Sequence, residues 1–342
     1  MKPLYYVGLD VHKKSISYCV KTASGEIVRE GRIGASRSEL DRWLSTLPAS
    51  CVAAMEATLF SGWIYDHLKA RGVPVKVADP TMLKAISASK KKNDQIDARK
   101  IADLLRCDLI QECYMAPPEM RELRRLLRFR NLLMRQSVRM KNRIAGLLME
   151  TGTSYNAGRL HGQQYFQQLL DELEGSIPDS VLHLMKLSRA AVDQLRGMEQ
   201  QIITGLCRHP LLRRRVELLT SIEGVGVITA LSWALETGEP QRFRTRGQAI
   251  SYCGLCSAQH SSAGRESRGP ISKQRNHHLQ WVLVEAAKMA PRWNAMLGMV
   301  HERELQRGNR NQATLEVARK LVGYLLAVDR SGQPFQVRMQ PQ

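Results

Sequence analysis

Acidic side chains are scarce in this 342-residue sequence, which has 32 Asp and Glu against 51 Lys and Arg and a formal net charge of +19. Long apolar runs are absent as well, because none approaches the roughly 18 residues that a membrane span requires. The N-terminal stretch MKPLYYVGLD also lacks the apolar core and the small-residue cleavage site of a signal peptide. We therefore expect a cytosolic protein with no membrane partner, and its positive charge favours nucleic acid as the partner.

The seven cysteines are odd in number and scattered, which excludes the disulfide framework of a small secreted protein. Cys253 and Cys256 form a single CxxC motif, with His260 and the pair His277 and His278 downstream. One CxxC without a second pair of ligands does not predict a zinc site. The two adjacent histidines could assist proton transfer, or they could be a solvated pair that begins a helix.

Alternating short segments in the first hundred residues predict a mixed α/β domain. The predicted order is strands 4–9, 15–20 and 26–33, helix 38–47, strand 51–54, helix 61–70, strand 73–77 and helix 80–88. Three strands followed by alternating helix and strand is the order of a ribonuclease-H-like core. In that architecture the first and fourth strands are neighbours, so residues at their ends can face each other.

Four of the scarce acidic residues lie at the ends of elements in this domain. Asp10 ends the apolar run LYYVGLD, Glu56 ends the run CVAAME, and Asp94 and Asp97 lie in KKKNDQIDARK. If the last segment is helical, its two aspartates share one face and could both reach the strand carboxylates. Carboxylates that converge within a basic surface hold Mg²⁺ or Mn²⁺ against a phosphodiester, and two ions about 3.5–4 Å apart support phosphoryl transfer.

Each of these residues also has an ordinary structural explanation. Asp94 could be a helix cap and Glu56 a solvated strand end, so it is the coincidence of four acids at matching positions that favours a metal site. Lys13 and Lys14 follow the first acid and could contact phosphate, or they could be exposed loop lysines.

Three segments, YVGLDVHKKSI, MEAT and KNDQIDARKIADLL, resemble the N-terminal motifs of the IS110 family of bacterial insertion-sequence transposases, which carry a RuvC-like DEDD domain. The resemblance implies that the four acids are catalytic ligands of Mg²⁺ or Mn²⁺. One position departs from the family pattern. Leu59 stands where the family usually has a small residue, which puts the geometry of that loop in question.

The segment 117–150 is strongly basic and has apolar residues at helical spacing. We assign this predicted helix to an N-terminal domain of residues 1–152. Its nine cations against three acids favour contacts with a phosphate backbone over a merely solvated face. The candidate phosphate-binding residues of this helix are Arg124, Arg128, Arg135, Arg139 and Arg143.

A polar stretch at 153–164 marks a boundary, and residues 180–206 repeat apolar side chains at heptad-like spacing. We define 153–208 as a helical, coiled-coil-like linker, which could pair with a second copy or fold back within the chain. The C-terminal domain, 209–342, opens with residues 222–226 between two helical patterns. That segment resembles a helix-hairpin-helix turn, in which Gly224 and Gly226 let backbone amides approach a phosphate, or it is an ordinary tight connection.

Serine, glycine and arginine crowd the next stretch, which has no clear period and which we predict to be a loop. Its segment GLCSAQHSSAGRESRGPISK resembles the serine motif in the transposase domain of the same family. The resemblance implies that Ser262 is the nucleophile, with Ser261 as the close rival, although the family commonly has proline where Ser257 stands. The candidate ligands of the scissile phosphate are Arg265, Arg268 and Lys273.

A serine nucleophile forms a phosphoserine ester, which stores the energy of the cleaved bond and allows rejoining without a cofactor. The hydroxyl needs a metal or a base, which the carboxylate cluster could supply if the two domains meet. The predicted fold class is α/β plus α: a ribonuclease-H/RuvC-like N-terminal domain, a coiled-coil-like middle and a mainly helical C-terminal transposase domain. The family further implies a homo-oligomer, such as a dimer or tetramer, donor and target DNA, a structured bridge RNA and action at the bacterial nucleoid.

Three other classes compete with this interpretation. A metal-only Holliday-junction nuclease would need the acids but not Ser262. A non-enzymatic nucleic-acid binder would need neither Asp10 nor Asp97. An ATP-binding, actin-like fold also begins with a strand that ends in GxD, but its glycine-rich phosphate and adenosine loops are absent from the sequence.

Overall fold

The computed structural model describes residues 4–81, 83, 93–262, 265–271 and 275–336. The chain divides into two compact units, Met1–Pro118 and Glu119–Gln342. Within the described residues the protein is mixed α/β and mostly helical, with twelve α-helices and seven strands. None of the helices in these ranges combines the length and the hydrophobicity of a membrane span.

The first unit is built on a five-stranded sheet. Its strands are β1 (Tyr5–Val11), β2 (Ser15–Thr22), β3 (Ile27–Gly34), β4 (Cys51–Glu56) and β5 (Val75–Ala78). Their spatial order is β3-β2-β1-β4-β5, with an antiparallel meander of β1, β2 and β3 and with β4 and β5 parallel to β1. The prediction that the first and fourth strands are neighbours is therefore confirmed.

The helices described in this unit are α1 (Arg37–Leu44), α2 (Ser61–Ala70) and α3 (Asp94–Arg106). The predicted α1 ended at residue 47, but the hydroxyls of Ser45 and Thr46 bind carbonyls of its last turn and end the helix earlier. The predicted fifth strand began at residue 73, whereas β5 begins after Pro74, which has no amide to donate to a ladder. Most of the predicted helix 80–88 lies outside the described residues.

The sheet buries both of its faces. Val7, Leu9 and Met55 lie on one face, in a core with residues of α1 and α2. Ala54 lies on the other face, in a core with Ile101 and Leu105 of α3 and other apolar residues. Because side chains alternate along a strand, Gly8 and Asp10 of β1 share the α3 face with Ala54 and Glu56 of β4.

Helix α3 crosses β1 with almost no space between the two backbones. A Cβ atom on Gly8 would overlap the carbonyl oxygen of Ala98 and would lie 2.5 Å from the amide nitrogen of Ala102. Both alanines are fully buried, so small residues line the contact from both sides. The glycine is thus needed for the close approach of a helix, two residues before Asp10.

A row of polar side chains at a spacing of four fixes the rotation of α3 over the meander. The Gln95 amide donates to the carbonyl oxygen of Tyr18 at 3.0 Å, and Arg99 donates two hydrogen bonds to Glu30. Asp103 accepts a 2.6 Å hydrogen bond from the buried Lys21. Burial alone would raise the pKa of Asp103, but hydrogen bonds from Lys21 and Arg106 outweigh it and hold the pKa below its usual value.

The second unit is helical apart from one hairpin. Its elements are α4 (Pro118–Glu150), α5 (Gln163–Leu173), α6 (Asp179–Arg208), α7 (Pro210–Thr220), α8 (Val227–Thr237), α9 (Arg246–Tyr252), β6 (Ser257–Ser262), β7 (Arg265–Ile271), α10 (His277–Met289), α11 (Ala295–Arg307) and α12 (Arg310–Ser331). The largest core surrounds the fully buried Trp233 of α8 and includes residues of α7, α10 and α12. A smaller core joins the last turns of α4 to α5 and α6.

The predicted basic helix is confirmed as α4, which is 33 residues long. Leu123 and Leu127 of its first half lie in the largest core of the second unit, so this helix groups with residues that follow it in the chain. The sequence instead placed it in a domain of residues 1–152. The two divisions differ because the packing partners of α4, among them Leu219 and Leu231, lie about a hundred residues further along the chain.

Helix α6 runs without a break through Ser188, which is buried. Its inward face carries Leu182, Met185 and Val192, which are buried within the second unit. Leu184 and Met198, two members of the predicted heptad pattern, are instead exposed by 42% and 41%. Ile202, another member of that pattern, packs against the largest core, so the heptad-like positions lie partly on the inward side of the helix.

The prediction of a loop around the candidate serine was wrong in its local structure. β6 and β7 form an antiparallel hairpin in which Ser257 pairs with Ile271 and Ser262 pairs with Arg265. Strand prediction relies on alternating apolar residues, and this segment is mostly polar, so no strand was predicted there.

Replacement of Gly8 by Ala tests the contact between β1 and α3. The added methyl group has to displace helix backbone, so we expect the first unit to lose about 1–3 kcal/mol of its free energy of unfolding. Hydrogen-exchange mass spectrometry should show faster amide exchange in α3. Gly146→Ala is the matched control, because its added methyl group meets open space on α4 and should leave the exchange of α3 unchanged. Equal protection of α3 in Gly8→Ala and wild type would contradict the packing described.

Candidate functional site

The four predicted acids converge at one edge of the first unit's sheet. Leu9 of β1 pairs with Met55 of the parallel strand β4, so Asp10 and Glu56 are the next residues at the carboxyl ends of neighbouring strands. Asp94 and Asp97 lie in the first turn of α3, on the same face of the sheet. The helix cap is Asn93, whose side chain accepts a hydrogen bond from the Gln95 amide. The alternative that Asp94 is only the cap is therefore wrong.

A histidine lies between two of these acids. The Nε2 atom of His12 is 3.0 Å from Oδ2 of Asp10 and 3.4 Å from Oδ1 of Asp94. Ligand atoms of these three side chains all lie within 4.8 Å of one another, so the three residues could hold one metal ion. The sequence interpretation missed His12. The signal was its spacing of two from Asp10, which places both side chains on the same side at the end of β1.

Glu56 and Asp97 lie at the same edge but outside this group of three. The backbone carbonyl of Glu56 accepts a 2.8 Å hydrogen bond from the hydroxyl of Ser61, which fixes the end of β4. Asp97 forms an ion pair with Lys100, with 3.5 Å between Oδ1 and Nζ. The structure therefore brings all four predicted acids to one edge of the sheet. Of the four, only Asp10 and Asp94 lie close enough together, with His12, to bind the same metal ion.

Burial and negative neighbours make the ionised form of Asp10 costly. Burial raises the pKa of this carboxyl, His12 lowers it, and the charges of Asp94 and Asp97 raise it further, so the net shift is upward. A cation bound among these side chains would relieve the repulsion. Carboxylate oxygens are the ligands that Mg²⁺ prefers, and an imidazole nitrogen also suits Mn²⁺, so the donor set fits either ion.

The loops at this edge are exposed. Lys13 and Lys14 lie in the turn after β1, where their side chains face solvent. Leu59 is 93% exposed in the loop after β4, so packing does not restrict the size of its side chain. The loop itself is held by Ser61, whose hydroxyl bonds the amide of Thr58 as well as the carbonyl of Glu56. The departure at Leu59 is thus compatible with an ordered loop.

Two of the five predicted phosphate contacts on α4 have partners inside the second unit. Arg128 donates two 2.8 Å hydrogen bonds to the carboxylate of Glu236, and Arg124 donates to the carbonyl oxygen of Leu235. Arg135 and Arg139 are exposed on the same helix. Arg143 is also exposed and lies 3.4 Å from Glu150. Arg135, Arg139 and Arg143 are better placed for phosphate than Arg124 and Arg128, whose guanidinium groups bond Leu235 and Glu236.

The glycines of the predicted helix-hairpin-helix turn lie between α7 and α8 and have different environments. Gly224 has a φ of +90°, and a Cβ atom there would lie 2.8 Å from the Cα atom of Ala290. Its conformation and close packing explain why a glycine stands there. Gly226 begins α8 and has open space beside it. Gly226 and Val227 are exposed, so the start of α8 is more accessible than the backbone at Gly224.

The backbone register places the candidate nucleophile at the end of the hairpin. Ser262 is the last residue of β6 and pairs with Arg265, while Ser261 pairs with Glu266 and Gln259 pairs with Arg268. Lys273 lies outside the described residues. The hairpin thus carries both candidate serines and two of the three predicted phosphate ligands on adjoining strands.

The cysteines and histidines next to the hairpin differ in burial, since Cys253 is buried, Cys256 and His278 are half-buried and His277 is exposed. Cys253 is fully buried, and burial raises its pKa, which disfavours the thiolate that a zinc site needs. His277 and His278 begin α10 with their rings 3.9 Å apart. Burial, reinforced by cationic neighbours such as Arg128, lowers the pKa of His278 to about 4 despite the nearby carboxylate of Glu236. His278 is therefore a neutral imidazole at pH 7.

A thermal-shift titration with MnCl₂ or MgCl₂ tests the metal assignment. At a hundredfold excess over the dissociation constant, a bound ion should stabilise the fold by about 2.7 kcal/mol. Asp10→Asn should abolish this gain. Without metal, the variant should unfold at a higher temperature than wild type, because the neutral amide removes the cost of a buried charge beside Asp94 and Asp97.

Glu26→Gln provides the control, since Glu26 is an exposed acid in the turn after β2, at the opposite edge of the sheet. Its titration should match that of wild type. The same metal-dependent gain in Asp10→Asn and in wild type would rule out the acidic cluster as the binding site.

Comparison with known proteins identifies related sequences for both units. Residues 7–153 match the family model of the IS110 DEDD transposases, and residues 216–301 match the model of the IS116/IS110/IS902 transposase family. The chain is 26% identical over 294 residues to the transposase for insertion sequence element IS1111A of Coxiella burnetii, which covers 84% of this chain and 78% of that protein. It is 25% identical over 333 residues to the transposase for IS1328 of Yersinia enterocolitica, which covers 96% and 98%.

A further relative is the transposase for IS1533 of Leptospira borgpetersenii, 25% identical over 254 residues, with 70% of this chain and 71% of that protein covered. The first family match spans the whole acidic cluster, and the second spans the serine hairpin and the turn at Gly224. The two matches together cover more than half of the chain and agree with the long alignments. The chain belongs to the IS110 family of transposases.

Proposed function

We propose that this protein is the transposase of a bacterial insertion sequence, which cuts and rejoins DNA strands through a serine nucleophile with the help of a divalent metal. The observation that carries the proposal is the convergence of Asp10, Glu56, Asp94 and Asp97 at one edge of a sheet in a member of a transposase family. The strand order, with β1 between β2 and β4, supports a ribonuclease-H/RuvC-like N-terminal domain.

The acidic cluster is the proposed site of Mg²⁺ or Mn²⁺. Asp10 and Asp94 would hold the ion together with His12, and Glu56 and Asp97 complete the DEDD set at the same edge. When bound, the metal supplies positive charge that stabilises the oxygens of a phosphodiester during transfer. Lys13 and Lys14, in the exposed turn after β1, would hold the neighbouring phosphates in the site.

The proposed nucleophile is Ser262. Its hydroxyl oxygen attacks the scissile phosphorus, the bond from phosphorus to the leaving sugar oxygen breaks, and the serine proton is passed to that oxygen. The product is a phosphoserine ester and a free sugar hydroxyl. Attack by the hydroxyl of another strand reverses the step, which regenerates serine and joins the strands without any cofactor. Arg265, Arg268 and Lys273 are the proposed phosphate ligands near the serine.

Nucleic-acid contacts of the second unit follow from its charge. The exposed Arg135, Arg139 and Arg143 form a basic surface on α4 that suits a phosphate backbone. The amides at Gly226 would contribute a further phosphate contact at the start of α8. The partners we propose are donor and target DNA and, by analogy with the family, a structured bridge RNA.

Assembly and location are also proposals. The exposed face of α6, with Leu184 and Met198, would pair with a second copy in a dimer or tetramer. We retain the domain bounds 1–152, 153–208 and 209–342 as functional divisions, since the first family match ends at residue 153. The site of action would be the cytoplasm, at the nucleoid.

The competing function is a metal-dependent Holliday-junction nuclease with no covalent intermediate. It is favoured by the same acidic cluster, which would suffice for hydrolysis without Ser262. The two functions differ in the product, because only the serine mechanism leaves protein attached to a cut strand.

The decisive experiment is a search for that attachment. The full chain is incubated with end-labelled recombination-site DNA, RNA from the noncoding end of the element and MgCl₂, and then denatured and separated on a gel. We expect a labelled protein–DNA adduct with wild type, no adduct with Ser262→Ala, and a rate reduced by about a thousandfold with Asp10→Asn, a typical magnitude for loss of an electrostatic catalytic group.

Ser261→Ala is the matched control and should retain the adduct. Cleavage without any adduct, unchanged in Ser262→Ala, would establish the nuclease instead. An adduct that survives in Ser262→Ala but disappears in Ser261→Ala would move the nucleophile by one residue.

A further inference from the structure

The serine hairpin leaves and rejoins the second unit at two adjacent positions, which we call the hairpin feet. The first foot is residues 252–255, which begin with the last residue of α9, and the second is residues 275–276, directly before α10. The backbone amide of Asn276 donates a 3.1 Å hydrogen bond to the backbone carbonyl oxygen of Tyr252, so the two feet are bonded to each other. Gly254 has a φ of +71°, and a Cβ atom there would lie 2.8 Å from Cδ of Arg275 and closer still to its Cβ.

A buried carboxylate lies directly beneath both feet. Glu236 of α8 is 1% exposed, although it is charged. Its Oε2 atom accepts a 3.0 Å hydrogen bond from the side-chain amide of Asn276, and its backbone carbonyl accepts a 2.8 Å hydrogen bond from the hydroxyl of Tyr252. One residue of α8 therefore binds the first foot through its backbone and the second foot through its side chain.

Arg128 of α4 neutralises this carboxylate. Its Nε and Nη2 atoms donate 2.8 Å hydrogen bonds to the two carboxylate oxygens. Burial alone would raise the pKa of Glu236, but the hydrogen bonds and charge of Arg128 outweigh it and lower the pKa. The carboxylate is thus ionised at neutral pH, and it remains a hydrogen-bond acceptor for Asn276.

Asn276 transmits this contact to α10. Its Oδ1 atom accepts hydrogen bonds from the amides of His278 and Leu279, so the same side chain caps the helix while its Nδ2 atom binds Glu236. Fixing this one side chain fixes the second foot and the start of the helix together.

A second buried ion pair shows what distinguishes this arrangement. Asp329 of α12 is 3% exposed on its side chain and accepts two hydrogen bonds from Arg215 and one from Trp233. These contacts join α7, α8 and α12 but none of them involves a hairpin foot. Both pairs are costly to bury and costly to break, so stability alone would make them equivalent. Of these two pairs, only the Glu236 pair binds the hairpin feet.

We propose that Glu236 and Arg128 are positioning residues for the serine hairpin, which they hold by its feet so that Ser262 meets the scissile phosphate in the reactive geometry. The proposal rests on the serine mechanism proposed above. Neither residue exchanges a proton or a bond with DNA in this role. Their loss should slow the chemical step through misplacement of the nucleophile, because displacements on the order of 1 Å are enough to cost about a hundredfold in rate.

The test compares Glu236→Gln with Asp329→Asn in the full chain. Both changes neutralise a buried carboxylate of nearly equal exposure. Glu236→Gln removes the charged partner of Arg128 and of the more distant Arg124, and Asp329→Asn removes that of Arg215. At a temperature where both variants are folded by circular dichroism, Glu236→Gln should form the protein–DNA adduct at least about tenfold more slowly than wild type at saturating DNA. Its dissociation constant for DNA should stay within about threefold of wild type.

Asp329→Asn should keep both quantities within about threefold of wild type at that temperature. Hydrogen exchange gives a readout that is independent of activity. The amides of the hairpin feet should exchange faster in Glu236→Gln than in wild type, and they should exchange at the wild-type rate in Asp329→Asn. If Glu236→Gln does not fold, Tyr252→Phe takes its place, because it removes only the hydroxyl that binds the Glu236 carbonyl. This variant should form the protein–DNA adduct about threefold to tenfold more slowly than wild type.

Three results would overturn the proposal. Equal adduct rates for the folded Glu236 and Asp329 variants, or a wild-type rate in Tyr252→Phe when that variant is used, would remove the positioning role and leave the serine mechanism intact. A wild-type protein that forms no adduct would remove the serine mechanism and the positioning role with it.

Discussion

The close contact between β1 and α3 is the constraint on which the acidic site depends. Gly8 lets the helix backbone approach the strand, and the sheet then offers Asp10 and Glu56 on the face that the helix covers. The row of bonds at Gln95, Arg99 and Asp103 sets the rotation of the helix. These two constraints together keep Asp10 and Glu56 close to Asp94 and Asp97 despite the repulsion between the four carboxylates.

The distribution of the scarce acids explains much of the surface chemistry of the second unit. Glu236 and Asp329 lie in the core and pair with Arg128 and Arg215, and Glu199 pairs with the buried Arg130. Several arginines of this unit are therefore structural ligands of buried carboxylates. Other arginines, such as Arg189 and Arg213, pair instead with an acid one turn further along the same helix, Asp193 and Glu217.

The sequence predicted what depends on local pattern and missed what depends on distant partners. The alternation of apolar residues was enough to predict the order of the first strands and the face of the sheet that Asp10 and Glu56 share. The polar hairpin has no such alternation, so a loop was predicted in its place. The partner of Arg128 lies 108 residues away in the chain, and no spacing rule connects the two. His12 was within reach of a local rule, since it follows Asp10 by two residues, directly after the end of β1.

The direct bond between Tyr252 and Asn276 means that the hairpin enters and leaves the core at a single point. The entropic cost of closing a segment whose ends already meet rises slowly with its length, by about 0.6 kcal/mol for each doubling. Residues can therefore be added or removed at the tip without refitting α9 or α10. The helical core around Trp233 is thus insulated from changes in the length of the segment that it carries.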